Sequence, residues 1–455
     1  MNTWTKQADR SMERTPVTDV RQRQLRQTAT DIVGALAKRL ADPATVEATA
    51  TIEGNLDRPP GRNPIHPWSG VTLGEGHPGV ALLYTELSRS DPAHRQTAHA
   101  HLAAASRALA TVPAVGLFAG TPSLAFAACT ARCGPDDYAI VLDCLDSHVI
   151  TRIRELLTAE AERLGAGHAG TSMATYDLIL GLAGLGRYLL LRDRRHQRTL
   201  ADALACLIRL TDPVRVRGHT VPGWWVPDAP SLSQDRHFPR GHFNLGLAHG
   251  ICGPLTLFAI AEEAGVAVPG QRDAATRIVT WLLQRQYGCR WPAVVDFDSE
   301  VTGARQEQAA GRAAWCYGTP GVARAIFLAG RALGRHDWQR TAVDALAGAL
   351  ELPQTLADYG LCHGWAGLLQ ITCRMARDST DARLNEHLPL LAARVIDGYN
   401  PALPFGYRYA GTPPGVWAPH RAGFLEGAAG IALALHTYAT DADPAACWDA
   451  ALLLG

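Results

Sequence analysis

Six Gly-x-x-Gly steps and one degenerate copy punctuate this chain, and each opens a short apolar stretch. They run Gly76 to Gly79, Gly181 to Gly184, Gly250 to Gly253, Gly318 to Gly321, Gly364 to Gly367 and Gly427 to Gly430, with Gly120 to Ser123 as the degenerate one. First glycines stand 44 to 69 residues apart, too far for one helix and a turn but suited to a pair of helices with connections, the logic of a helical repeat array. The stretches behind the steps, such as Val80-Ala81-Leu82-Leu83 and Ile431-Ala432-Leu433-Ala434-Leu435, read as the buried member of each pair. The other member is more polar and starts at recognisable signals: Asp91-Pro92, Gly134-Pro135-Asp136-Asp137, His336-Asp337 and Thr380-Asp381. There a capping oxygen, a proline or an acid suits orphan amides and the helix dipole.

Length alone would allow two or three domains in 455 residues, but repeats from about residue 74 to the end argue for one body. The expected division is a loose segment over 1–27 and a single domain over 28–455, with the first amphipathic helix near Thr28 to Leu40. Forty-three Lys and Arg balance 43 Asp and Glu for a net charge of +0, which removes any bulk electrostatic case for nucleic acid or an anionic membrane. No run approaches the roughly 18 apolar residues of a membrane span, and the polar opening lacks a secretory core. The expectation is a soluble, cytoplasmic protein that meets membranes only through partners. Ten cysteines, mostly scattered singly, read as reduced and not as a disulfide framework. Between Pro213 and Asn244 the composition turns to Val, Trp, Pro, His and Arg, predicting a loop or small β-containing insertion. A second stretch, Tyr399 to His420, is rich in proline and aromatics and is placed to overhang a central site.

If the buried helices point the same way around a ring, whatever precedes each first glycine lies at one end of it. His249 and His363 stand one residue before theirs, Cys316 and Cys362 two before, and Asp177 four before Gly181. Cys316, Cys362 and His363 make three soft or borderline donors, which suit zinc and leave a fourth tetrahedral position open. Adjacent residues point about 100° apart inside a helix, so Cys362 and His363 can share an ion only at a helix start, where the glycine puts them. Taken singly these residues have blander and commoner readings: a cysteine at a helix start is usually a small packed residue, His249 reads as capping or packing, Asp177 as a solvated or N-capping carboxylate, and Arg312 as a surface residue. The shared offset from the repeat glycine is what raises the metal reading of the cysteines and His363. Cys252, on the helix side of its glycine, reads as core.

With Gly246-Leu247-Ala248-His249-Gly250, Trp315-Cys316-Tyr317-Gly318-Thr319-Pro320-Gly321 and Cys362-His363-Gly364 in order, the chain resembles the lanthionine synthetase C-like cyclases over about residue 74 to the end. The resemblance implies an all-α fold, an α/α toroid of about seven inner and seven outer helices, with one Zn²⁺ per chain at one end of the central cavity. It implies addition of peptide cysteine thiols to dehydroalanine or dehydrobutyrine in a dehydrated, leader-bearing precursor peptide. By motif matching, Cys316, Cys362 and His363 correspond to zinc ligands, and His249, Asp177, Arg312 and Tyr317 to active-site residues. A separate dehydratase and a membrane exporter are the expected partners.

The chemistry agrees with those roles. Metal binding deprotonates a thiol at neutral pH, and the enolate left by attack on the β-carbon needs a general acid. His249 suits that task with Asp177 orienting it, while Arg312 and Tyr317 suit the developing negative charge. Two rival functions use the same ligands: a transferase adding glutathione or another small thiol to an unsaturated acceptor, and a non-catalytic, zinc-stabilised peptide-binding scaffold. A glycosidase on a metal-free α/α barrel is more distant, because Glu75 and Glu426 flank repeat glycines without an evident acid partner. The missing second glycine at Ser123 predicts a local distortion of the ring.

Overall fold

The structure, a computed structural model, describes residues 16–58, 63–109, 115–230, 234, 236–304, 313–352, 354, 356–408 and 418–455. Seven helices form an inner ring: α3 (His77–Leu87), α5 (Thr121–Ala131), α8 (Leu182–Leu191), α10 (Cys252–Glu263), α13 (Thr319–Ala332), α15 (Trp365–Ser379) and α17 (Ala428–Thr440). Each packs on the next, and α17 packs back on α3, which closes the circle. Six outer helices each cover the inner helix before them: α4 (His94–Ala108), α6 (Ala139–Gly165), α9 (Gln197–Arg209), α11 (Gln271–Gln284), α14 (His336–Leu350) and α16 (Ala382–Asp397). The seventh outer helix is α1 (Pro16–Arg39), which covers α17. The fold is an α/α toroid.

That last pairing differs from the expected loose segment over 1–27. Residues 1–15 lie outside the described residues, but the helix expected near Thr28 to Leu40 begins at Pro16. Its physical reason is α17, buried from Ala428 to Leu435, against which α1 packs. Arg26 fastens the two ends of the chain together, donating from Nη1 to the Tyr438 carbonyl at 2.8 Å and from Nη2 to Asp441 at 2.9 Å.

Burial explains why the two rings have different sequences. Every residue of α3 is buried, as is α10 from Cys252 to Ala261, so these inner helices are covered on all sides and carry few polar residues. Outer α9 buries Leu200, Ala203, Leu204 and Leu207, one stripe at helical spacing, and turns its charges outward. Each fully buried leucine of this kind contributes about 1.5–3 kcal/mol.

The glycine steps set how closely the layers approach. A Cβ added at Gly430 would lie 1.8 Å from the carbonyl oxygen of Phe424; the same encounter with the residue six before recurs at Gly79, Gly184, Gly321 and Gly367. Gly318, the helix N-cap of α13, has φ of 132°, a region closed to residues with a Cβ. Gly430→Ala should therefore lower stability by about 1–3 kcal/mol or more, read as a reduced urea midpoint at unchanged slope; a wild-type midpoint would contradict this account of the repeat.

The loops ahead of the glycines are joined by a closed belt of backbone hydrogen bonds. Leu73 N–H donates to Phe118, Phe118 to Ile179, Leu178 to Ala248, Ala248 to Cys316, Cys316 to Cys362, Cys362 to Leu425 and Leu425 to Gly74, at 2.9 to 3.4 Å. Every accepting carbonyl stands two residues before a first glycine. The belt runs unbroken through the degenerate repeat, so the expected distortion does not break the ring and is confined to the helix entry: Gly120, the N-cap of α5, has φ of 73°, and the Ser123 hydroxyl lies 2.5 Å from the Val71 carbonyl.

Smaller helices α2 (Pro43–Ala50), α7 (Met173–Tyr176) and α12 (Phe297–Thr302) and four short strands complete the described architecture. The expected insertion holds a hairpin of β1 (Val214–Val216) and β2 (His219–Val221), and ends in β3 (His242–Asn244). β3 pairs antiparallel with β4 (Val294–Asp296), a partner outside the stretch that composition marked. Residues 448–454 are buried among the inner helices. Trp315 Nε1 donates to the Leu452 carbonyl at 2.9 Å and Arg324 Nε to Leu454 at 2.9 Å, so this segment plugs the ring directly behind Cys316.

Candidate functional site

The belt delivers the residues at and just before the repeat glycines to one mouth of the toroid. Cys316, Cys362 and His363 meet there, their sulfur and nitrogen atoms all within 4.8 Å of one another. Among the described residues this is the group of three or more potential ligands that could share a metal ion. Cys362 and His363 occupy the turn before Gly364, the N-cap of α15, which frees them from helical geometry as the sequence required. Cys316 is held on both sides by the belt and is 8% exposed.

Hydrogen bonds and charge couple the three groups. The Cys316 thiol is pulled down, first by the hydrogen bond from Cys362 and, against burial, by His363. Cys362 is pushed up by its Cys316 neighbour and by burial. His363 is held up at about 10: burial opposes its charge, but Asp358 and Cys316 outweigh it. A buried thiolate, a second sulfur and an imidazole at this spacing fit a soft or borderline ion bound through nitrogen and sulfur.

Across the mouth, His249 and Asp177 form the second element of the site. His249 Nδ1 lies 2.6 Å from Asp177 Oδ2, with Asp177 1% exposed. Burial works against the imidazolium, yet the Asp177 hydrogen bond and charge keep the His249 pKa above its ordinary value. Capping contacts and the His249 contact fall on different oxygens of Asp177. Oδ1 accepts the N–H groups of Leu180 at 2.7 Å and Gly181 at 2.9 Å ahead of α8, and Oδ2 is left for His249.

Tyr317 stacks beside His249, ring centroids 6.2 Å apart at 27°. Burial pushes its phenol up to about 12, so it stays a donor at neutral pH. Its oxygen accepts from Asn244 Nδ2 at 3.3 Å, which leaves the phenol proton free for another partner. Arg312 lies outside the described residues. The structure thus brings together six of the seven residues singled out in the sequence, in two groups at one end of the ring.

Sequence reasoning missed Asn244, although it sits at the end of β3 just ahead of Gly246 and its Oδ1 accepts that glycine's N–H at 2.9 Å. It also missed Arg421, whose Nη1 reaches Glu75 at 2.6 Å and Glu426 at 3.2 Å while Nη2 reaches Asp57 at 2.6 Å. Glu75 and Glu426, the repeat carboxylates weighed for a glycosidase, are thereby bridged by one guanidinium. Of the Tyr399 to His420 stretch, residues 409–417 lie outside the described residues; Tyr399 and Tyr407 pack together, and His420 is fastened to Asn55 through its backbone.

Residues 67–453 match the family described as lanthionine synthetase C-like protein, and the chain belongs to that family. Over 383 residues it is 24% identical to the nisin biosynthesis protein NisC of Lactococcus lactis subsp. lactis, a match covering 81% of this chain and 85% of that relative. A solved structure of nisin cyclase superposes with a TM-score of 0.72 at 23% identity, covering 85% of this chain and 93% of the other. Among the described residues no helix is long and apolar enough to cross a membrane.

Proposed function

We propose that this protein is a zinc-dependent lanthipeptide cyclase, joining cysteine thiols of a dehydrated precursor peptide to dehydroalanine or dehydrobutyrine as lanthionine and methyllanthionine rings. The observation that carries this reading is the meeting of the Cys316, Cys362 and His363 group with the Asp177-oriented His249 at one mouth. Family membership and the named relatives support it. Three protein donors are the count of a catalytic zinc site, whereas structural sites close with four. Bound there, Zn²⁺ would favour the thiolate form of an incoming peptide cysteine.

The addition forms a bond from sulfur to the β-carbon, breaks the carbon–carbon π bond, and leaves an enolate whose α-carbon takes up a proton as the thiol gives one up. A carboxylate only accepts, so Asp177 fixes the His249 proton on Nδ1 and leaves Nε2 to deliver a proton to the α-carbon. Tyr317, its oxygen occupied by Asn244, donates to the enolate oxygen. Arg312, four residues before Cys316, adds positive charge for the same intermediate. A separate dehydratase supplies the substrate and an exporter takes the product onward, in the cytoplasm.

The test is incubation with a dehydrated precursor, counting free thiols by alkylation and mass spectrometry. One thiol should disappear per ring with no change in peptide mass, stop on chelation, and resume on adding Zn²⁺. Thiol counts that stay constant with the zinc-loaded protein would sink the reading. Loss only when glutathione or another small thiol is supplied to the acceptor would transfer the site to small-thiol addition.

A further inference from the structure

One buried carboxylate beside the cysteine and histidine group has no role in the steps above. Asp358 is 4% exposed and lies at the base of the turn that carries Cys362 and His363. Its backbone carbonyl accepts the Trp365 N–H at 3.0 Å, which closes that turn. Its Oδ1 accepts the N–H groups of Tyr359 at 2.5 Å and Gly360 at 3.0 Å, so the carboxylate cannot swing away. Its Oδ2 is 3.1 Å from His363 Nε2.

A carboxylate facing an imidazole nitrogen requires the ring proton on that nitrogen. The proton that a metal would displace from His363 is then the one on Nδ1. We propose that Asp358 is a positioning residue for the metal group: it fixes His363 as a ligand through Nδ1 and holds the ring against Cys316 and Cys362. The inference rests on the zinc reading above and specifies a residue and a tautomer that reading does not require. Ligating histidines commonly give their second N–H to a carboxylate, and loss of that partner costs about 10–100-fold in metal affinity or activity.

Asp358→Asn separates this role from simple bracing of the turn. Asparagine keeps an oxygen for the Tyr359 and Gly360 amides but presents an NH₂ to Nε2, which drives the His363 proton onto Nδ1 and blocks it as a ligand. Without metal the variant should still melt cooperatively, at a temperature lowered by loss of the Asp358 charge beside His363, while its Zn²⁺ affinity, read by competition with a fluorescent chelator, weakens roughly 10–100-fold. Asp358→Glu should recover part of that loss. Wild-type affinity in Asp358→Asn would overturn the inference. If Asp358→Asn does not fold, nitrogen-15 NMR of the zinc-loaded native protein decides: a His363 spectrum with metal on Nδ1 and hydrogen on Nε2 supports it, and the reverse overturns it. Metal analysis of the native protein comes first, because absence of stoichiometric zinc there sinks the zinc reading itself.

Discussion

Native protein should retain about one Zn²⁺ per chain through desalting, and the Cys316→Ala, Cys362→Ala double variant should retain none. Its ring-forming rate should fall by about 10²–10⁴-fold, the equivalent of the several kcal/mol that a bound cation supplies to developing charge. The fold should survive, because the belt bonds of both residues run through the backbone and alanine keeps them. Each substitution removes one sulfur, and the pair should cost the metal-free protein only about 1–2 kcal/mol. Two melts tell metal loss from misfolding. Zinc should raise the native melting temperature, since a ligand bound only to the folded state stabilises it, and should leave that of the double variant unchanged. Elemental analysis and thiol counting complete the test. A double variant that keeps its zinc, or that closes rings at the native rate, shows that these sulfurs are not the ligands.

Why this site could be read from the sequence, and the seventh outer helix could not, follows from what each contact demands. The glycine steps recur because a backbone carbonyl approaches to within 1.8 to 2.3 Å of where a Cβ would sit at Gly79, Gly184, Gly321, Gly367 and Gly430. Packing that tight leaves a fixed mark. The belt then puts the residue two before each first glycine at one end of the ring, so a constant offset from glycine became a constant position in space for Cys316 and Cys362. Nothing periodic links α1 to α17: Arg26 and Tyr438 are 412 residues apart, and the polar sequence of residues 16–27 carries no sign of the apolar helix it covers. Ser123 looked like a defect because the rule was read as glycine, when the geometry there accepts a small side chain whose hydroxyl reaches a nearby carbonyl. Asn244, Asp358 and Arg421 were silent for a different reason. Their work is done by hydrogen bonds and charge between loops, which no spacing along one segment records. Asp177 was ambiguous because a capping carboxylate and a histidine partner look alike in sequence; here one residue is both.

His249→Ala should reduce the ring-forming rate by about 10²–10⁴-fold, the range for losing a positioned general acid, while leaving zinc content intact. Asp177→Asn gives the more discriminating result. Asparagine can still accept the Leu180 and Gly181 amides, so α8 keeps its start, but the negative charge that lifts the His249 pKa against burial is gone. As the acid, His249 acts protonated, and the rate falls as pH rises through its pKa. In the native protein that alkaline limb is displaced upward from the ordinary histidine value; in Asp177→Asn it should move to lower pH, with about a tenfold rate difference for each unit of displacement once both forms are past their limbs. Stability should follow the same sign. A group with a raised folded pKa stabilises fully below its unfolded pKa and loses that contribution as pH rises through the folded value. The stability gap between native protein and Asp177→Asn, measured by urea at about pH 6 and about pH 9, should therefore narrow on the alkaline side. An alkaline limb that stays in place in Asp177→Asn would separate His249 from the rate-limiting proton and point to Tyr317 as its source.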